Sequence, residues 1–340
     1  MQKLRNLFLF ILFFFQHHDT ILPQVVTETV KVDTDDPAIW VNKSDLSKSL
    51  VLGTDKGLGG GVYVFNLDGK IDYSRSVLNL KRVNNIDVAY GFLFGDSQID
   101  IAVATERDNH AIRVFTLPSM KLIDGDGIKV FIDDSLQLPM GIALYQEPSS
   151  HKIYAIVGRK DGPRDGYLHQ YLLYTDAGQV KATLVRKFGK YSGIKEIESI
   201  AVDNELGYVY YSDERFGIRK YYANPDSSNI ELAIFGRNEF LEDNEGISIY
   251  KQPNSEDGFI IVSNQSANTF NFYPRMGDQG NPAKHSLIKS LSFSTSNSDG
   301  SDISSENFPG FNNGLFVAMS DDRTFHFYNW DRILKELKMK

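Results

Sequence analysis

Asp33-Thr34-Asp35-Asp36-Pro37-Ala38-Ile39-Trp40 sets three carboxylates within four residues, directly ahead of an apolar run that reads as buried strand. Adjacent acids repel one another, and a chain seldom brings them against a core unless a cation offsets their field. In isolation the stretch also fits a solvated turn with an acidic edge. Its recurrence down the chain decides between the two.

Six times one residue introduces a short small-apolar strand. Asp36, Asn85, Met140, Glu198, Glu245 and, less clearly, Asp299 do so, at steps of 49, 55, 58, 47 and 54 residues. A second strand follows each and ends in a small or hydroxyl residue: Thr54, Thr105, Gly158, Ser212, Ser263 and Ser320. A third strand then carries aromatics, as in Val62–Phe65, Ile112–Phe115 and Thr324–Phe327. Fourth strands are fainter, around Asp72, Lys129, Ala182–Phe188, Ile230–Phe235 and His285–Phe293. Six such units predict an all-β, six-bladed β-propeller with four-stranded antiparallel blades. The last unit lacks a fourth strand, and the alternating Val25–Val32 has no unit of its own. That N-terminal strand is expected to close the ring and remove its open edges. The propeller is expected as one domain over residues 25–333.

Bulk properties agree. Of the 340 residues 41% are hydrophobic, and 17 Tyr with 23 Phe favour β-structure. The formal charge of −8 argues against nucleic acid or an anionic membrane as partner and suits cation binding. With no cysteine there is no disulfide, thiolate metal site or thiol nucleophile. Lys3 and Arg5 precede the apolar Leu7–Phe15, which is too short to span a bilayer and reads as a signal peptide over residues 1–18. The expected location is therefore periplasmic or extracellular, with no membrane contact after cleavage.

In a propeller, equivalent positions of all blades gather around one axis. Lys56, Arg107, and Arg159 with Lys160 follow the second strands of the first three blades, whereas Glu214 holds that position in the fourth. The first-strand entrances offer Asp35 with Asp36, Asn85 with Asp87, Glu198, Asp243 with Glu245, and Asp299 with Asp302. One flank of the mouth should be cationic and the other anionic. Hard oxygen donors without clustered histidine suit several Ca²⁺ ions, and Lys and Arg beside them make a phosphate receptor. No HExxH, nucleophile elbow or Walker A loop offers another chemistry.

Asp35-Asp36-Pro-Ala-Ile-Trp, Asn84-Asn85-Ile-Asp87-Val, Ile101-Ala-Val-Ala-Thr-Glu-Arg107, Glu245-Gly-Ile-Ser-Ile-Tyr250 and Asn313-Gly-Leu-Phe-Val-Ala318 resemble the β-propeller (alkaline) phytases, in order, from about Val25 to Arg332. The resemblance implies a secreted, Ca²⁺-dependent phosphomonoesterase of the 3-phytase type. Its substrate would be phytate, myo-inositol hexakisphosphate, taken as the calcium complex, with a calcium-held water attacking directly. The resemblance maps phosphate contacts onto Lys56, Arg107 and Lys160, with Arg159 a neighbour. It maps calcium and water ligands onto Asp36, Glu198, Glu214, Asp243 and Glu245, with Asp299 or Asp302. The ring adds Asp35 and Asn85 as oxygen donors, and the expected catalytic set is Lys56, Arg107, Lys160, Glu198 and Glu245. Two departures stand out: Met140 where the family has tyrosine, and Ser199 where it has glycine. Arg164 adds a basic residue near the mouth. A monomer is expected. On residues alone, a non-catalytic calcium-stabilised binding module and a lactonase-type calcium hydrolase stay open, although neither needs the cations at the mouth.

Overall fold

The structure, a computed structural model, describes residues 20–338, so the signal-peptide reading lies outside the described residues. Six four-stranded antiparallel sheets follow one another along the chain. Their innermost strands are Thr34–Trp40, Val83–Phe94, Pro139–Gln146, Ile200–Asp203, Asn244–Lys251 and Ser301–Ser304. The second strands are Leu50–Asp55, Ser97–Glu106, Ile153–Arg159, Tyr208–Asp213, Gly258–Asn264 and Leu315–Ser320. The six-bladed propeller is therefore the fold.

The hydrophobic residues sort into six buried clusters, one between each pair of neighbouring blades. Ile101 and Val103 of blade 2, for example, pack with Ile142 and Leu144 of blade 3. Both faces of each sheet are thus buried, which accounts for second strands such as Leu50–Asp55 being buried at every position.

The N-terminal segment closes the ring: Val25 pairs with Phe327 and Val26 with His326. The regular ladder is shorter than Val25–Val32. The Thr27 hydroxyl accepts the Phe325 N–H at 2.9 Å in place of a backbone carbonyl, and the Glu28 N–H turns to Gly69 in blade 1. The segment still reaches Val30, whose N–H donates to Arg323 at 2.9 Å. A second difference concerns the outer strand of blade 1, which runs Val77–Leu78 rather than around Asp72. Asp72 instead holds a turn, accepting from Ser74 N at 2.9 Å and Arg75 Nε at 2.7 Å.

Three of the hydroxyls ending the second strands tie their blade to the next blade's entrance. Thr105 donates to the Met140 carbonyl at 2.6 Å, Ser212 to Glu245 at 2.7 Å and Ser263 to Ser298 at 2.7 Å. These ties fix the backbone from which the candidate site is built.

Candidate active site

Four inner strands break register where they enter the channel, between Thr34 and Pro37, Val83 and Ile86, Pro139 and Ile142, and Asn244 and Ile247. A bulge releases residues from the ladder and re-aims them. Blade 1 thereby separates Asp35 from Asp36, and blade 2 separates Asn84 from Asn85. The carboxylates fall into two tiers, not one ring.

The lower tier lines a channel cavity of about 210 Å³ that includes Asp36, Asn85, Asp87 and Asp302. Its acids are used as stitches: Asp36 accepts from Ile86 N at 3.0 Å, Asp87 from Leu144 N at 2.7 Å and Asp302 from Ile39 N at 2.7 Å. Each bond crosses to the next blade. Ser199 does the same, its hydroxyl accepting from Ile247 N at 2.8 Å. Burial pushes the Asp87 carboxyl up to about 6 and that of Asp302 to about 7. The Asp36 carboxyl is also well raised, through burial first and the neighbouring acids second.

The upper tier forms the mouth. Lys56 Nζ sits 2.7 Å from Asp35 Oδ1 and 2.8 Å from Asp299 Oδ2. Its loop is pinned by Asp55, which accepts the N–H groups of Val32, Asp33 and Gly57 at 2.9–3.0 Å. Asn84 then bridges onward, donating to Asp35 Oδ2 at 3.0 Å and Glu198 Oε1 at 3.3 Å. Glu196, Glu198 and Glu214 offer oxygens within 4.8 Å of one another, and so do Glu214, Asp243 and Glu245.

The expected segregation into a basic and an acidic flank is not what the chain builds; cations and acids interleave. Lys160 lies 2.8 Å from Glu196, and Lys195 contacts Glu214 and Asp243. Burial lowers the Lys56 ammonium pKa, yet Asp35, Asp299 and Glu198 more than reverse this and raise it. Burial raises Glu198, with Asp35 adding to it against Lys56, and brings Glu214 up to about 7 against the pull of Lys195. Arg107 is buried, touches Met140 Sδ through Nη2, and has no partner for Nε.

Lys56, Glu198, Glu214, Asp243, Glu245 and Asp299 are thus joined at the mouth with Asp35. Lys160 lines a neighbouring cavity of about 710 Å³ together with Arg164 and Lys195. Arg159 is placed elsewhere. Its guanidinium is 1% exposed, stacks 4.6 Å from the Phe131 ring, and donates to the Leu136 carbonyl at 3.1 Å. Sequence reasoning passed over Lys195, Glu196 and the bridging role of Asn84. Lys195 and Glu196 precede the blade 4 entrance rather than standing at an equivalent position, so the repeat carried no signal for them.

The donor set fits a hard divalent cation. Oxygens on opposite sides of Ca²⁺ stand about 4.6–5.2 Å apart, which accommodates the 4.8 Å clusters. Glu214 Oε1 and Glu245 Oε2 are also buried with no hydrogen-bond partner, a state that costs free energy until something fills it.

A family model described as Phytase matches residues 15–337. The chain belongs to the phytase family. It is also 27% identical to a 3-phytase of Bacillus subtilis (strain 168), over 95% of this chain and 86% of that relative. Family membership makes this chain an enzyme of the phytate-hydrolysing class, as its motifs implied. It also implies a small-molecule substrate. No helix among the described residues is long and apolar enough to cross a membrane.

Proposed function

We propose that this phytase releases phosphate from phytate, taken as its calcium complex, by direct attack of water at the mouth, with Ca²⁺ held by Glu198, Glu214, Asp243, Glu245 and Asp299. The observation that carries the reading is the pairing of orphaned buried carboxylate oxygens on Glu214 and Glu245 with phosphate-seeking cations in the same mouth. When bound, Ca²⁺ would share the phosphate's charge and lower the pKa of a coordinated water.

The chain's own residues position the ester. Lys56 has three N–H donors and spends two on Asp35 and Asp299, which leaves one for a phosphate oxygen. Arg107 presents a guanidinium whose Nε is unfilled, a group suited to planar phosphate contacts. Lys160 is half exposed and can reach a second phosphate of the same inositol ring. Asn84 holds Asp35 and Glu198 in fixed relation. The set holds no hydroxyl or thiol nucleophile with an adjacent base, and its carboxylates are engaged by Lys56, Asn84 and Lys195 or assigned to Ca²⁺, which leaves the attack to water. The 3-phytase bond preference, the monomeric state and export through residues 1–18 belong to the same proposal.

Phosphate release from phytate, followed in Ca²⁺ and then in EGTA, tests it. Chelator should abolish release and added Ca²⁺ restore it. Undiminished release in EGTA would overturn the calcium assignment.

A further inference from the structure

The space between Glu214, Asp243 and Glu245 already receives a cation, supplied by the chain. Lys195 lies in the loop joining blades 3 and 4. Its Nζ is 2.6 Å from Glu214 Oε2, 2.8 Å from Asp243 Oδ2 and 3.7 Å from Glu245 Oε1. The Glu214 contact is an off-axis ion pair rather than an aligned hydrogen bond, and only Asp243 receives a directed one. One ammonium cannot satisfy this set: Asp243 is shared between Lys195 and Arg215, no second cation among the described residues reaches Glu214 or Glu245, and Glu214 Oε1 and Glu245 Oε2 stay unpartnered. The lysine also has a way out. Its side chain is 34% exposed where Glu214 and Glu245 are almost fully buried, and it lines the 710 Å³ cavity with Lys160 and Arg164.

We propose that Lys195 is a tethered cation that occupies the Glu214–Asp243–Glu245 cluster in the metal-free protein, competes with a divalent ion for its oxygens, and on displacement turns into the adjoining cavity to bind phosphate. This rests on the cluster being a metal site, as argued above. A divalent ion entering as the lysine leaves better matches the three carboxylates. The same event delivers a positive charge to the cavity that Lys160 lines. Metal and phosphate should therefore bind with positive coupling, and the coupling must be reciprocal. Arg215 provides the contrast. It holds Asp243 Oδ1 at 2.6 Å from the solvent side, 49% exposed, and approaches neither Glu214 nor Glu245 within ion-pair distance.

Calorimetric titration of Ca²⁺ into the full chain stripped of metal, with and without inorganic phosphate, tests the proposal. Lys195→Met should tighten Ca²⁺ binding at the cluster about tenfold or more, the worth of the charge-assisted contacts that no longer need breaking. It should also remove most of the effect of phosphate on Ca²⁺ affinity. Arg215→Met should change affinity less than about threefold. Should the metal-free Lys195→Met chain fail to fold, Ca²⁺ is withdrawn from the loaded protein with graded EGTA, and Lys195→Arg, which keeps the charge, should remain close to wild type. Equal tightening in Lys195→Met and Arg215→Met would reduce the effect to bulk charge and overturn the proposal. Unchanged affinity in Lys195→Met overturns it while leaving the cluster a metal site. Binding by neither wild type nor Lys195→Met would remove the metal site itself.

Discussion

Asp302→Asn probes the lower tier through its pH dependence. Asp302 accepts Ile39 N at 2.7 Å across the blade 6 to blade 1 junction and Ile303 N at 2.7 Å on its own strand. Burial first, with Asp87 adding its field, brings its carboxyl up to about 7 from an ordinary 3.8. A carboxyl whose pKa is raised by folding contributes stability that is complete below the unfolded value and is lost as pH climbs through the folded one. For a pKa of about 7 against 3.8, the contribution is roughly 3 kcal/mol at pH 5 and close to zero at pH 8. Asp302 faces the channel cavity rather than a dry core, and screening there reduces the expected difference to about 1.5 kcal/mol.

An amide cannot titrate, so the difference between wild type and Asp302→Asn reports this carboxyl together with its coupling to Asp36 and Asp87. Buried histidines such as His169, lowered to about 4 chiefly by burial, act in the opposite direction but cancel in the comparison. Urea unfolding of both proteins in EGTA between pH 5 and 8 provides the measurement. The substitution should cost about 1.5 kcal/mol more at pH 5 than at pH 8. A cost that is flat, or that grows toward pH 8, would refute the assignment of Asp302 as a protonated stitch in the metal-free channel.

Other perturbations address the mouth. Lys56→Met should lower turnover of phytate at least about 100-fold, the loss of a charge-assisted phosphate contact, with the calcium-loaded melting temperature little changed; unaltered turnover would misplace the phosphate. Arg159→Met removes a cation stacked on Phe131 and should cost about 2–3 kcal/mol in unfolding assays, with KM for phytate unmoved. A raised KM would return Arg159 to the substrate. Ca²⁺ at 100 times its dissociation constant should add about 2.7 kcal/mol of stability per site. Mg²⁺, which demands tighter octahedral geometry, should add far less, and identical melts in Ca²⁺ and EGTA would contradict metal binding to the folded state.

The blade count was legible because three landmarks repeat in phase, and buried sheets with no α-helix between the described strands leave few architectures. The polarity of the site was legible only in part. Asp35 and Asp36 share one entrance in the sequence, yet Asp35 meets Lys56 at the mouth while Asp36 stitches blade 1 to blade 2 in the channel. Strand periodicity alone puts neighbours on opposite faces. The register break between Thr34 and Pro37 then decides which neighbour goes where, and no local residue type announces a bulge of that kind. The same limit explains Arg159 and Lys160. They stand at one landmark, but Arg159 ends the ladder opposite Pro139 and turns its guanidinium onto Phe131, whereas Lys160 is free to reach the cavity. Lys195 was illegible for a different reason: it belongs to a connecting loop, and only tertiary closure brings its ammonium 2.8 Å from Asp243, 48 residues away. A repeat reports what every blade shares, so it finds the scaffold and most of the acids. The cation that distinguishes one cluster from the rest has to be found in the folded chain.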